Sequence, residues 1–220
     1  MTAMGALFTV PDLPLFEADG GCPLQGFTAR FEEVIKRSRF ITFIAHADSR
    51  DAALALVAAA RREYPGATHY CWAYAAGAPG DTARIGQSDD GEPHGTAGRP
   101  MLNQLLYGGM GEIAAVAIRY FGGIKLGTGG LTRAYQNGVK EALLLVRPVV
   151  KRIPVRGMAE VDYAMASRMP RLVSQAEGRI IEQDFGSSVL FTIEIPQENC
   201  ELFRRVFSEA TDGRGVLELP

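Results

Sequence analysis

Between Arg119 and Leu143 the chain reads RYFGGIKLGTGGLTRAYQNGVKEAL, with two glycine clusters ahead of a helical pattern. A loop that feeds a helix N-terminus offers unpaired backbone N–H groups and the positive end of the helix dipole. Glycines let such a backbone approach a phosphate or carboxylate closely. Gly122, Gly123, Gly127, Thr128, Gly129 and Gly130 supply the backbone, and Arg119, Lys125 and Arg133 the formal charge, so the chemistry suggested is anion binding. The familiar nucleotide loops do not fit. Gly122 and Gly127 have P-loop spacing, but Thr128-Gly129 stands where Lys followed by Ser or Thr is required. Gly127-Thr128-Gly129 runs on to Thr132 where a dinucleotide loop needs Gly or Ala. The same glycines also suit a turn at φ > 0 that holds no ligand.

A second stretch, SDDGEPHGTAGRP from Ser88 to Pro100, groups Asp89, Asp90, Glu92 and His94 as metal ligands or an acid and base. Thr96, Gly98 and Arg99 follow at the start of another helical pattern. Hard-cation loops need tighter alternation of oxygens than this run has. Carboxylates in turns are commonly solvated or capping groups, so no metal or cofactor is expected. Glu92 is then a partner for Arg99 or a nearby lysine. A third stretch, THYCWAY, alternates Thr68, Tyr70, Trp72 and Tyr74 with His69, Cys71 and Ala73. One strand face is aromatic, and Trp72 or Tyr74 offers a stacking surface for bases. His69 and Cys71 read as ordinary sheet residues. A nucleophilic pair of Cys71 with His94 has nothing in the sequence to bring its members together.

The elements that position these groups follow from periodicity. Phe27–Ile35 and RFITFIAH alternate as strands around a charged turn at Lys36–Ser38. Asp48 or Ser49 caps the Ala-rich RDAALALVAAARREY, whose small side chains predict close packing on a sheet. ATHYCWAYAAG is a strand, ARIGQSDDGEPHGTAG a long polar loop, RPMLNQLLYGG a helix and EIAAVAIRYF a strongly strand-like run. In the helix after the glycine loop, Gly138 predicts a tight contact with the sheet, because a glycine there costs about 1 kcal/mol relative to Ala. VRPVVKRIP reads as a join. Beyond it come a strand near 155–161, a helix over 163–176 that Pro170 delays or kinks, strands at 179–185 and 188–195, a helix over 198–210 and a strand at 216–219. That order, βαββαβ, is ferredoxin-like. Ahead of Phe27 the pattern suggests an irregular arm with a short edge strand near Leu7–Val10. The expected division is an arm at 1–26, one domain at 27–151 and another at 152–220.

The 220 residues are 47% hydrophobic with a formal net charge of −2, which suits one or two folded domains and gives no global pull toward nucleic acid. Any such binding must rest on a local patch. Residues 152–220 hold 8 Lys/Arg against 11 Asp/Glu, which makes them the poorer nucleic-acid candidate. Cys22, Cys71 and Cys200 are odd in number and lack CxxC spacing, as suits a reducing compartment. There is no basic region ahead of the N-terminal apolar residues, and the run Ala52–Ala60 is too short to cross a bilayer. A cytoplasmic, unprocessed protein without a membrane partner is the expectation.

ATHYCWAY, SDDGEPHGTAGRPML and VAIRYFGGIKLGTGGLTRAY, in this order and widely spaced, resemble the signature of the IMPACT family, in particular its bacterial YigZ-type members. His94 stands where a serine is common in that pattern. The resemblance implies an α+β protein of two domains. The first is a split β-α-β domain with a left-handed crossover, like domain IV of elongation factor G, and the second a ferredoxin-like domain similar to domain V of that factor. It also implies a non-enzymatic binding or regulatory protein linked to translation control, with RNA, the ribosome or a translation-related protein as partner. Arg99, Arg119, Lys125 and Arg133 would address phosphate, and no catalytic residue is assigned. The alternative is an enzyme acting on a phosphorylated or anionic small molecule held by the glycine loop, with Asp89, Asp90 or Glu92 as base. An exposed edge of the tail sheet would allow a weak homodimer; otherwise the chain is a monomer.

Overall fold

The computed structural model describes residues 7–19 and 21–220. The chain divides into two compact units, residues 8–150 and residues 151–220, the second also taking Leu7. Residues 1–6 and 20 of the expected arm lie outside the described residues.

The first unit opens with β1 (Leu7–Pro11). A hairpin follows, of β2 (Thr28–Ile35) and β3 (Ser38–His46), turned by Lys36 and Arg37 at φ 46° and 66°. Ser49 accepts from the Ala52 amide and starts α1 (Arg50–Glu63). Then come β4 (His69–Ala75), β5 (Ile85–Ser88), α2 (Gly98–Tyr107), β6 (Ile113–Tyr120), α3 (Thr128–Leu143) and β7 (Pro148–Arg152). The sheet order is β2-β3-β6-β4-β5, and every neighbouring pair is antiparallel. β3 and β4 therefore run parallel with β6 between them, and α1 joins this split pair. Two expectations change here. The polar loop contains β5, which adds an edge strand to β4, and the join contains β7, which pairs with β1.

Helices cover both faces of this sheet, which explains why β6 is buried from Ile113 to Arg119. On one face α1 packs through Ala52, Ala55, Leu56, Ala59 and Ala60. Phe16 and Leu24 from the N-terminal segment are fully buried in the same cluster, so that segment builds core although its backbone is irregular. On the other face lie α2 and α3, with Met101, Leu105, Leu131, Tyr135 and Val139 over Phe40, Ile44 and Ala117. A Cβ at Gly138 would stand 2.5 Å from Thr42 Oγ1, so only glycine lets α3 settle this close to β3.

The second unit runs β8 (Pro154–Val161), α4 (Tyr163–Ala166), α5 (Met169–Gln175), β9 (Arg179–Phe185), β10 (Val189–Pro196), α6 (Cys200–Thr211) and β11 (Val216–Glu218). Its sheet order β11-β8-β10-β9, with the first and third strands central, is ferredoxin-like. Pro170 stands in the first turn of α5 and splits the expected helix in two, since a proline is tolerated there but not mid-helix. Asp162 caps α4 by accepting from the Met165 amide. Phe203 and Phe207 of α6 pack on Phe191, Ile193 and Ala159.

Candidate functional site

At the start of α2 the protein supplies its own anion. Asp89 Oδ1 accepts from the amides of Ala97 and Gly98 at 3.0 and 2.9 Å, and Oδ2 from the Gly95 amide at 2.7 Å. Burial raises the pKa of this carboxyl, but the three amides and nearby His94 outweigh it and hold the group below its ordinary value. Asp90 is equally engaged. It accepts from the Tyr70 amide at 2.7 Å and from Arg61 at 2.6 Å, while its carbonyl accepts from His69 Nδ1 at 2.8 Å. Thr96 is buried and donates to the Pro93 carbonyl, whereas His94 is exposed, with Nδ1 3.8 Å from Asp89.

Glu92 turns inward. Its Oε1 accepts from Arg119 Nη1 and from the Tyr135 hydroxyl, both at 2.7 Å, and Oε2 lies 3.9 Å from His69 Nε2. Its partner is thus Arg119 rather than the expected Arg99 or a lysine. Arg119 is 5% exposed and sits 5.4 and 5.3 Å from the ring centroids of Phe40 and Phe121. Its Nη2 reaches Ser38 Oγ at 3.3 Å, and that oxygen also accepts from the Gly122 amide. Burial drives the Tyr135 phenol and the Cys71 thiol above their ordinary values. Cys71 donates to the Asp89 carbonyl, so neither group is a nucleophile at neutral pH. The two loops do meet, but as a closed polar scaffold that ties the 89–97 segment to β6 and α3. Among the described residues no three His, Cys, Asp or Glu side chains cluster to hold a metal ion.

The start of α3 is built the opposite way. Gly127, at φ 74°, precedes the helix without a side-chain cap, and the first turn has no acidic residue. Leu131 donates to the Gly127 carbonyl, while the amides of Thr128, Gly129 and Gly130 have no acceptor among the described residues. Gly123, Lys125, Thr128, Gly129 and Arg133 are exposed, and neither cation is in an ion pair among the described residues. Gly122 is pressed against the Arg37 backbone, which seats the β2–β3 turn beside this loop.

That contact frames a groove of about 510 Å³ between β2 and α3. Lys36, Arg133 and Lys140 line it together with Ile35, Leu126 and Ala134. The remaining expected residues lie elsewhere. Trp72 and Tyr74 stack on each other at 5.9 Å on the α1 face of the sheet, opposite α3. Tyr74 is buried over Gly86, which takes its ring away from any stacking role, while Trp72 is half-buried against the same cluster. Arg99 is exposed in the first turn of α2.

Comparison with known proteins bears on this architecture. Residues 36–143 match the Impact N-terminal domain, and residues 160–214 match a domain of unknown function, DUF1949. The chain is 44% identical over 187 residues to the Escherichia coli IMPACT family member YigZ, covering 85% of this chain and 91% of that protein. It belongs to the IMPACT family. An IMPACT family member of Haemophilus influenzae is 42% identical over 189 residues, covering 86% of this chain and 92% of its own. YvyE of Bacillus subtilis, another family member, is 32% identical over 85% of each chain. A crystal structure of a hypothetical protein is similar over 96% of both chains, with a TM-score of 0.69 and 38% identity. The matched family domain encloses both helix starts and the Lys36 end of the groove. Sequence reasoning missed Ser38 and Tyr135 as members of the buried network, and Lys36 and Lys140 as walls of the groove. Arg133, Gln136, Asn137 and Lys140 at helical spacing were the one available signal, since they mark a polar face of α3.

Proposed function

We propose that this IMPACT-family protein is a non-enzymatic binding protein that grips RNA phosphate, free or on the ribosome, and acts in translation control from the cytoplasm. One observation carries the reading: the α3 N-terminus keeps three unclaimed amides beside the unpaired cations Lys125 and Arg133. Phosphate oxygens suit such a seat, and backbone N–H groups at a helix start are regular phosphate contacts. The acid and base candidates weigh against chemistry on a small anion, because Asp89, Asp90 and Glu92 are each consumed by internal hydrogen bonds. With few cations in the patch, affinity should be modest and salt-sensitive, the logarithmic slope for a single strand being about −0.7 per phosphate contact. Lys125→Glu combined with Arg133→Glu should abolish RNA binding and co-sedimentation with ribosomes at low salt. Unchanged binding would reject the patch as the contact surface.

A further inference from the structure

The groove between β2 and α3 has a polarity that suggests what fills it. Asn137 Nδ2 lies 3.3 Å from both carboxylate oxygens of Glu33, so α3 crosses β2 with Asn137 beside Glu33. Lys36 is three residues further along the chain, in the turn just past β2, and Gly130 lies seven residues back along α3, about 10 Å by helical rise. The groove therefore has a cationic end at the start of α3, with Lys36 and Arg133. Its other end carries Glu33, Gln136 and Asn137, with Lys140 a turn further along α3. Between them the lining is aliphatic, from Ile35, Leu126 and Ala134. Among the described residues Lys36, Arg133, Gln136 and Lys140 make no hydrogen bond or ion pair, so their donors are available to a ligand.

A simple inorganic anion does not match this arrangement. It would use the cations alone, while the aliphatic middle would offer it nothing and Glu33 would be left without a donor from the ligand. A ligand with a phosphate at one end and a flat base with N–H donors at the other, joined by a sugar whose C–H groups rest on the aliphatic lining, satisfies all three zones. A nucleotide has that form, and the volume is within the usual range for small-molecule clefts, roughly 300–1,000 Å³. We infer that the β2–α3 groove holds a nucleotide unit, its phosphate between Lys36 and Arg133 and its base toward Glu33, Gln136 and Asn137. This inference rests on the proposed phosphate contact at α3 and specifies what that contact accompanies: an unpaired base. Duplex RNA hides its bases, so the groove selects single strands.

Fluorescence anisotropy with a short labelled single-stranded RNA, the matching duplex, and unlabelled AMP and inorganic phosphate as competitors tests this. Lys36→Asn removes a cation while suiting the positive φ of that turn. It should weaken the single strand about tenfold and lower its salt slope by about 0.7. Gln136→Ala, at an exposed helix position, should weaken it roughly threefold. The single strand should bind more tightly than the duplex. Saturable displacement by AMP but not by phosphate would identify a free nucleotide as an occupant, whereas a strand that AMP cannot displace would identify a chain-borne one. Lys125 lies outside the groove and separates the two claims. If Lys125→Glu weakens RNA while Lys36→Asn and Gln136→Ala do not, the groove is overturned and the phosphate contact survives. If neither RNA nor AMP binds the native protein at low salt, both fall.

Discussion

Two helices on the same sheet face begin in opposite ways. At α2 the amides of Gly95, Ala97 and Gly98 are taken by Asp89, and the adjoining Glu92 is buried against Arg119 and Tyr135. At α3 the first amides are unclaimed, the first turn carries no acid and the neighbouring cations are unpaired. Both starts have the glycine-rich loop, helix and basic residue that suggest anion binding. What separates them is whether the chain brings a carboxylate of its own to the seat. The first arrangement stabilises the domain, and the second leaves favourable electrostatics for a partner.

The largest effect should come from opening the closed side. Glu92→Ala strands a buried guanidinium and should cost about 3–5 kcal/mol in urea unfolding of the first unit. Replacing both partners, Glu92→Leu with Arg119→Met, should recover part of that loss, because two apolar groups leave no buried charge unpaired. Equal costs for the single and double variants would mean that the ion pair is not what the site depends on. Asp89→Ala should cost less, about 2–3 kcal/mol, since it removes hydrogen bonds from a charged acceptor to backbone donors that water can partly replace. Lys125→Glu or Arg133→Glu, on the open side, should each leave stability within about 0.5 kcal/mol of native while RNA binding is weakened.

The smallest and most specific effect is in pH. The folded-state value of Asp89 is depressed below its ordinary 3.8, so its contribution is fully present above that value and is lost as pH falls through the folded one. Melting temperatures of the native protein and Asp89→Asn should therefore differ at pH 6 and converge on acidification below about 3.8. A gap that stays constant across this range would assign the effect of the substitution to shape rather than charge.

Much of the architecture was legible because local signals agreed with the global arrangement. Alternation marked β2, β3 and β4, a continuous apolar run marked β6, Asp48-Ser49 marked the start of α1, and Gly138 marked the close approach of α3 to Thr42. β5 escaped because it has only four residues, two of them Gly86 and Gln87, and is recruited as an edge by β4. β7 looked like a join because its partner β1 lies far away in sequence. The site was half legible. The types of Asp89, Glu92 and Arg119 could be picked out, but Arg119 was expected to address phosphate. Its burial follows from β6 being central in the sheet, an ordering that propensity does not show. The aromatic face of β4 was visible too. That Tyr70 and Tyr74 on it are core followed only once α1 was found on the same face. The groove needs a wall from β2 and one from α3, about a hundred residues apart, and only its helical wall has a periodic signature.

Giving α3 the carboxylate that α2 already has would test the contrast most directly. Gly129 is exposed, and a Cβ there meets nothing within 4 Å, so Gly129→Glu fits without rearrangement. It should raise stability by about 1 kcal/mol through helix propensity and the dipole. In the same preparation it should weaken single-stranded RNA binding by about tenfold or more at low salt. A variant that is more stable yet binds RNA as well as the native protein would contradict the claim that the open start of α3 is the seat for phosphate.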